Sequence, residues 1–166
     1  MYIVENAITE ETWSTLLIDI KDKFHNFCWK SSTLTWESNI KTGIIGTCLT
    51  TPVGHNLSAK ILNDLDGKIE MYSRMACQYY VWHPLSGISR HNDGIHKISG
   101  TIYLNKHWHS DWGGQFNWEE DDKILSIIPK KRSMVVNDDH TYHWVTPLSP
   151  LTPYNRFTIQ IWGNEL

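Results

Sequence analysis

The chain has 166 residues, 15 Lys and Arg against 18 Asp and Glu, 40% apolar and 20% charged residues. That length fits one domain with a real core, and the balance of apolar and charged residues argues against a disordered chain. A formal net charge of −3 removes any whole-molecule case for nucleic-acid or anionic-membrane binding.

No apolar run approaches the ~18 residues that a membrane span needs. The first residues carry Glu5, Glu10 and Glu11 rather than a basic start and an apolar stretch, so no signal peptide is expected. Cys28, Cys48 and Cys77 are widely spaced and form no CxxC pair. They read as buried or free thiols of a reducing compartment, and the expected location is the cytoplasm. The excess lies elsewhere: nine His and nine Trp, with seven of the His between His83 and His143.

The N-terminal third reads as helical. Thr9 can cap a helix, with Ile8 before it as a staple. Trp13, Leu16, Leu17, Ile20, Phe24 and Phe27 then recur at helical spacing, predicting a helix over 10–27. A second helix is expected over 56–66, with Leu57, Ile61, Leu62 and Leu65 on one side and Gly67 as its stop.

From Ile69 the period changes to two. Ile69, Met71, Met75, Cys77, Tyr79 and Val81 alternate with Glu70, Tyr72, Arg74, Gln78 and Tyr80. Further strands are expected at 88–92, 98–104, 114–118, 124–128, 132–136, 142–146 and 155–162, mostly separated by Gly, Pro and Asp turn signals. Lys130-Lys131-Arg132 follows Pro129 and reads as a solvated turn. No repeat, low-complexity tract or linker divides the chain. The expectation is a single domain over 1–166, mainly β within an α+β chain, with a helical support over 1–68 and a sandwich or barrel core over 69–166.

The last strand carries Arg156, Thr158, Gln160 and Trp162 on one face and Phe157, Ile159 and Ile161 on the other. The polar face is either solvated or the lining of a barrel interior. Strand 98–104 splits the same way, with Thr101 and Tyr103 opposite Ile102 and Leu104.

His91-Asn92-Asp93 places a His and an Asp two apart, so on a strand both side chains point one way and could ligate one metal. The motif is weak by itself, and His109-Ser110-Asp111 also satisfies it. His143 follows on a later strand, with His140 as its competitor for the inward position. Two His and one carboxylate make the composition of a facial triad for non-haem Fe(II), which leaves coordination positions open. Arg156 on the polar face is a natural partner for a carboxylate ligand, because its planar fork grips both oxygens.

These residues stand in an ordered train. It runs Tyr79-Tyr80, Ser89-Arg90-His91-Asn92-Asp93, Ile102-Tyr103-Leu104-Asn105, Trp108, Gly113-Gly114-Gln115-Phe116, His143-Trp144-Val145-Thr146-Pro147, and Arg156 to Trp162. From Gln78 to Trp162 the chain resembles the 2-oxoglutarate/Fe(II)-dependent dioxygenases of the prolyl 4-hydroxylase type. The resemblance implies a double-stranded β-helix, a cupin-like jelly roll with flanking N-terminal helices. It implies iron ligation by His91, Asp93 and His143. It also implies that Arg156 pairs with the distal carboxylate of 2-oxoglutarate, with Tyr103 bonded to the same group. Tyr80, or else Tyr79, would stand near the cofactor, and Trp162 would line the substrate cavity. Two departures, the long Pro147–Pro153 interval and the absence of a glycine-rich form over Val81–Leu85, would sit at the cavity mouth.

The implied reaction uses Fe(II), 2-oxoglutarate and O2, with ascorbate in support, to hydroxylate a C–H bond while 2-oxoglutarate becomes succinate. Asp93, in place of Ala or Gly, favours hydroxylation over halogenation. Nothing basic follows Arg156, unlike the nucleic-acid demethylases of the superfamily, so neither nucleic acid nor membrane is an expected partner. The leading substrate is a prolyl residue of a peptide or protein. A free amino acid or other small metabolite is the first alternative, and a non-catalytic metal-binding jelly roll the second. The oligomeric state is left open.

Overall fold

In the computed structural model the described residues are 1–31, 43–138 and 140–165. Helix α1 spans Glu10–His25 and helix α2 spans His55–Leu65. The strands are β1 (Tyr2–Val4), β2 (Lys30–Ser31), β3 (Ile44–Ile45), β4 (Cys48–Pro52), β5 (Arg74–Trp82), β6 (Gly87–His91), β7 (Ile98–Tyr103), β8 (Phe116–Glu120), β9 (Lys123–Ile127), β10 (Met134–Asn137), β11 (His143–Val145) and β12 (Arg156–Asn164). They form a seven-stranded sheet in the order β1-β10-β7-β12-β5-β4-β2 and a five-stranded sheet in the order β3-β6-β11-β8-β9. All pairings are antiparallel. The two sheets make a double-stranded β-helix.

Helix α1 begins where its cap is satisfied. Thr9 Oγ1 accepts from the Thr12 amide at 3.2 Å, and the Thr9 amide donates to Asp64 Oδ2 at 2.8 Å, which ties the start of α1 to α2. The helix ends at His25 rather than at residue 27. Phe27 has φ 53° and is 92% exposed, so the left-handed turn there takes it off the apolar face that its spacing suggested. Helix α2 agrees with its expectation to one residue, and Gly67 follows with φ 72°.

The first 68 residues hold more than helices. Among the described residues they also contribute β1, β2, β3 and β4, three of which extend the large sheet. These strands have two to five residues, too few to show a period of two. Strand β5 starts at Arg74, not at Ile69, and the Lys130–Arg132 turn is pinned rather than free. Lys130 pairs with Glu5 at 2.8 Å, and Arg132 donates to Asn6 Oδ1 at 2.8 Å.

Two apolar layers result. The outer one packs Leu16, Ile20, Ile61 and Leu65 of the helices against Tyr79, Ile102, Leu104, Ile159 and Ile161 of the large sheet. Each buried side chain of this kind contributes about 1.5–3 kcal/mol. The inner layer lies between the sheets and holds Tyr80, Trp82, Ile88, Tyr103, Phe116, Trp118, Val135, Val145 and Leu148. Consecutive residues of β5 therefore serve different layers, Tyr79 the helices and Tyr80 the interior. On β12, Phe157, Ile159 and Ile161 face the helices, so Arg156, Thr158, Gln160 and Trp162 line the interior rather than a solvated face.

Candidate metal and carboxylate site

His91 ends β6 and stands directly opposite His143 of β11. Their rings lie 4.4 Å apart between centroids, and Phe116 stacks on His143 at 5.1 Å with planes 12° apart. One ligand atom from each of His91, Asp93 and His143 falls within 4.8 Å of the others. His140 lies outside the strand and is exposed, whereas His143 lies on β11 and is buried.

Both imidazoles are oriented by main-chain carbonyls. His91 Nδ1 lies 2.8 Å from the Ser89 carbonyl, and His143 Nδ1 lies 3.0 Å from that of Thr141. A carbonyl only accepts, so each Nδ1 carries the proton and each Nε2 lone pair is left for a metal. Burial, aided by the neighbouring His143, lowers the His91 pKa and favours this neutral form, against the pull of the Ser89 bond and Asp93.

Asp93 lies two residues past the end of β6, so strand alternation does not aim it. Its Oδ2 accepts from Ser99 Oγ at 2.5 Å and from Asn137 Nδ2 at 2.8 Å. Burial pushes the carboxyl pKa up, but His143, Ser99, His91 and Asn137 outweigh it, and the group sits below its ordinary value. A carboxylate beside two imidazoles whose ligand atoms converge is the donor set that suits a divalent metal such as Fe(II). His109 and Asp111, the competing pair, are exposed and 3.6 Å apart, with no third metal-ligating group beside them among the described residues.

Arg156 starts β12 and is fully buried. Among the described residues its Nε, Nη1 and Nη2 find no hydrogen-bond partner, and neither do Tyr103 Oη, Thr158 Oγ1 or Trp82 Nε1. The register brings them together, with Arg156 opposite Trp82 and Thr158 opposite Tyr103. The guanidinium carbon lies 5.2 Å from the centre of the Tyr103 ring. Burial pushes the Arg156 pKa down and that of Tyr103 up, and each opposes the other's shift. Buried polar groups are almost always bonded, and an unpaired buried cation is costly, so this cluster is shaped for an anion. A carboxylate offers two oxygens with about four lone-pair sites for such donors.

Gly114, with φ 67°, borders the same space, and a Cβ there would come 3.1 Å from Arg156 Cδ. The Pro147–Pro153 segment also closes this end and does not stand by the histidines. Leu148 bonds Leu85 and Ser86 through its main chain, and Ser149 and Thr152 bond the Trp112 carbonyl. Pro147 is roughly 13 Å along the strand direction from His143, at ~3.3 Å per residue.

Tyr80 is buried in the interior, 6.2 Å from Trp82 and 6.1 Å from Trp162 between ring centres. Tyr79 faces the other way and donates to Asp19 Oδ2 at 2.8 Å, which removes it as an alternative to Tyr80. Trp162 stands opposite Ser99, at the end of the cavity where Asp93 is held. The sequence places Thr158 on the polar face of the last strand but assigns no role to Ser99, Asn137 or Trp82. Alternation with Tyr103 points to Ser99, and alternation with Tyr80 to Trp82. No local signal marks Asn137.

The family model for the 2OG-Fe(II) oxygenase superfamily matches residues 70–164. The chain belongs to that superfamily, whose members use Fe(II) and 2-oxoglutarate, and the convergent His-Asp-His set and the anion cradle both fit it. Among solved structures it is similar to a Pseudomonas putida prolyl-4-hydroxylase, with TM-score 0.73 and 16% identity over 98% of this chain and 91% of that one. A prolyl hydroxylase from Trichoplax adhaerens, in complex with a hypoxia inducible factor peptide fragment, matches with TM-score 0.72 and 17% identity over 97% and 81%. HygX from Streptomyces hygroscopicus, with nickel and 2-oxoglutarate bound, matches with TM-score 0.67 and 8% identity over 97% and 81%. No curated protein sequence matches the chain.

Proposed function

We propose that this protein hydroxylates a prolyl residue of a peptide or protein, using Fe(II), 2-oxoglutarate and O2, with ascorbate keeping the iron reduced, in the cytoplasm. The carrying observation is one interior that holds a three-ligand set with both Nε2 atoms free at one end and an unpartnered Arg156 at the other. A lone metal site has no need of Arg156, so this pairing favours an oxygenase over a non-catalytic metal-binding jelly roll.

When bound, Fe(II) and 2-oxoglutarate supply the oxidation of a C–H bond by O2. His91 and His143 would hold the metal through Nε2, with Asp93 as the third ligand. Arg156 and Tyr103 anchor the distal carboxylate and so orient the cofactor along the cavity. Tyr80 and Trp162 present an aromatic wall to the substrate and restrict water beside the metal. A prolyl ring is a compact apolar group that such a wall receives. The likeness to two prolyl hydroxylases across nearly the whole chain supports this substrate. The likeness to HygX supports a small-molecule substrate as the second reading.

The test is incubation with proline-containing peptides and with free amino acids under Fe(II), 2-oxoglutarate and ascorbate, read by mass spectrometry for one added oxygen and by succinate. Gain of oxygen on a peptide prolyl residue is expected. Gain only on free amino acids would move the reading to a small-molecule hydroxylase. No succinate and no iron-dependent 2-oxoglutarate binding would defeat the oxygenase reading.

A further inference from the structure

Trp82 carries an unsolved problem of hydrogen bonding. It is 1% exposed, and among the described residues its Nε1–H has no hydrogen-bond partner. An indole N–H only donates. Its neighbours across the sheet are Arg156 on β12 and Cys48 on β4, and its ring stacks on Tyr80. Arg156 is also only a donor, and a cysteine sulfur is a weak acceptor. The main chains on both sides are engaged in the β12–β5 and β4–β5 ladders.

Two obligate donors thus stand side by side on one face of adjacent strands, both desolvated, and among the described residues neither is hydrogen-bonded. Tyr103 and Thr158 can turn their hydroxyls to donate or accept, but Trp82 and Arg156 cannot. A neutral buried N–H left unpaired is costly, and an apolar aromatic side chain such as Phe would avoid that cost altogether. An acceptor with several lone pairs between the two strands resolves both groups at once.

We propose that Trp82 Nε1–H is a further donor to the distal carboxylate of 2-oxoglutarate, beside Arg156 and Tyr103. The fork of Arg156 supplies one N–H to each oxygen, and the carboxylate keeps lone pairs for the indole and the hydroxyls. Trp82 then fixes the plane and depth of the carboxylate, which Arg156 alone leaves free to slide. This inference rests on 2-oxoglutarate occupying the Arg156 cradle, so its test separates the two.

The experiment measures equilibrium binding by calorimetry with Mn(II) in place of Fe(II), which removes turnover. The ligands are 2-oxoglutarate and 2-oxopentanoate, the same keto acid without the distal carboxylate. Trp82→Phe should weaken 2-oxoglutarate roughly tenfold, the size of one charge-assisted hydrogen bond, and leave 2-oxopentanoate within about twofold. Arg156→Met runs in parallel. If Arg156→Met weakens 2-oxoglutarate and Trp82→Phe does not, the Trp82 role is overturned and the cradle stands. If neither substitution changes the affinity, the cradle reading falls and the Trp82 role with it. A measurement on the unaltered protein covers a variant that fails to fold. With nitrogen-15 tryptophan, one indole N–H resonance should move downfield on adding 2-oxoglutarate and hold still with 2-oxopentanoate. If no indole resonance does so, the proposal fails.

Discussion

Asn137 Nδ2 donates to Asp93 Oδ2 at 2.8 Å across a separation of 44 residues. Ser99 Oγ meets the same oxygen at 2.5 Å, so one oxygen of the carboxylate is clamped by two side chains from β10 and β7. The clamp aims a residue that no strand holds.

Loss of that clamp should show in metal affinity before it shows in stability. Outer partners of metal ligands typically contribute 10–100-fold in affinity. Asn137→Ala should weaken Mn(II) binding within that range, and Asp93→Ala should abolish it. Asp111→Ala, in the exposed His109-Ser110-Asp111 pair, should leave both binding and succinate formation within about twofold. A dependence on Asp111 with indifference to Asp93 would relocate the site.

Arg156 should cost the ligand-free protein stability. Its guanidinium is fully buried and has no hydrogen-bond partner among the described residues, and an uncompensated buried charge is strongly destabilising. Arg156→Met should therefore raise the urea midpoint of the protein measured without 2-oxoglutarate. The gap should shrink when the ligand is added. At a hundredfold excess over its Kd, 2-oxoglutarate should stabilise the natural protein by about 2.7 kcal/mol and the variant by almost nothing. A variant less stable without ligand would mean that the guanidinium has a partner in solution.

Tyr79 gives the pH dependence a definite sign. Burial, and then the bond to Asp19, raise its phenol far above the ordinary value. The folded state holds a proton that the unfolded chain releases above about pH 10. The stability from this group is fully present below that pH and is lost as pH rises, at about 1.4 kcal/mol per unit. Tyr79→Phe should lower stability by about 1 kcal/mol at pH 8 through the lost hydrogen bond. Its urea curve should then approach that of the natural protein between pH 10 and 11. A gap that stays constant over this range would show that Tyr79 does not control the alkaline loss.

Much of the site can be read from residue order. His91, Asp93, Tyr103, His143 and Arg156 come in the sequence of a known train, and the alternation of Arg156, Thr158, Gln160 and Trp162 already separates a polar face from an apolar one. A period of two needs only neighbouring residues, so it survives without any knowledge of what lies opposite. The same reasoning places α1 and α2 within two residues of their ends.

The remaining decisions belong to pairing between distant strands. Whether the polar face of β12 meets solvent or an interior depends on the second sheet lying over it. Whether His140 or His143 faces the metal depends on His143 standing opposite His91. Tyr79 and Tyr80 are chemically alike, and only the helices on one side and the second sheet on the other give them different roles. The clamp on Asp93 and the orphaned N–H of Trp82 have no local signature at all, because a hydrogen-bond partner, or the lack of one, is a property of space and not of sequence. The residue order thus determined the donor types and their facing, while the tertiary structure decided which of them converge and which are left waiting for a ligand.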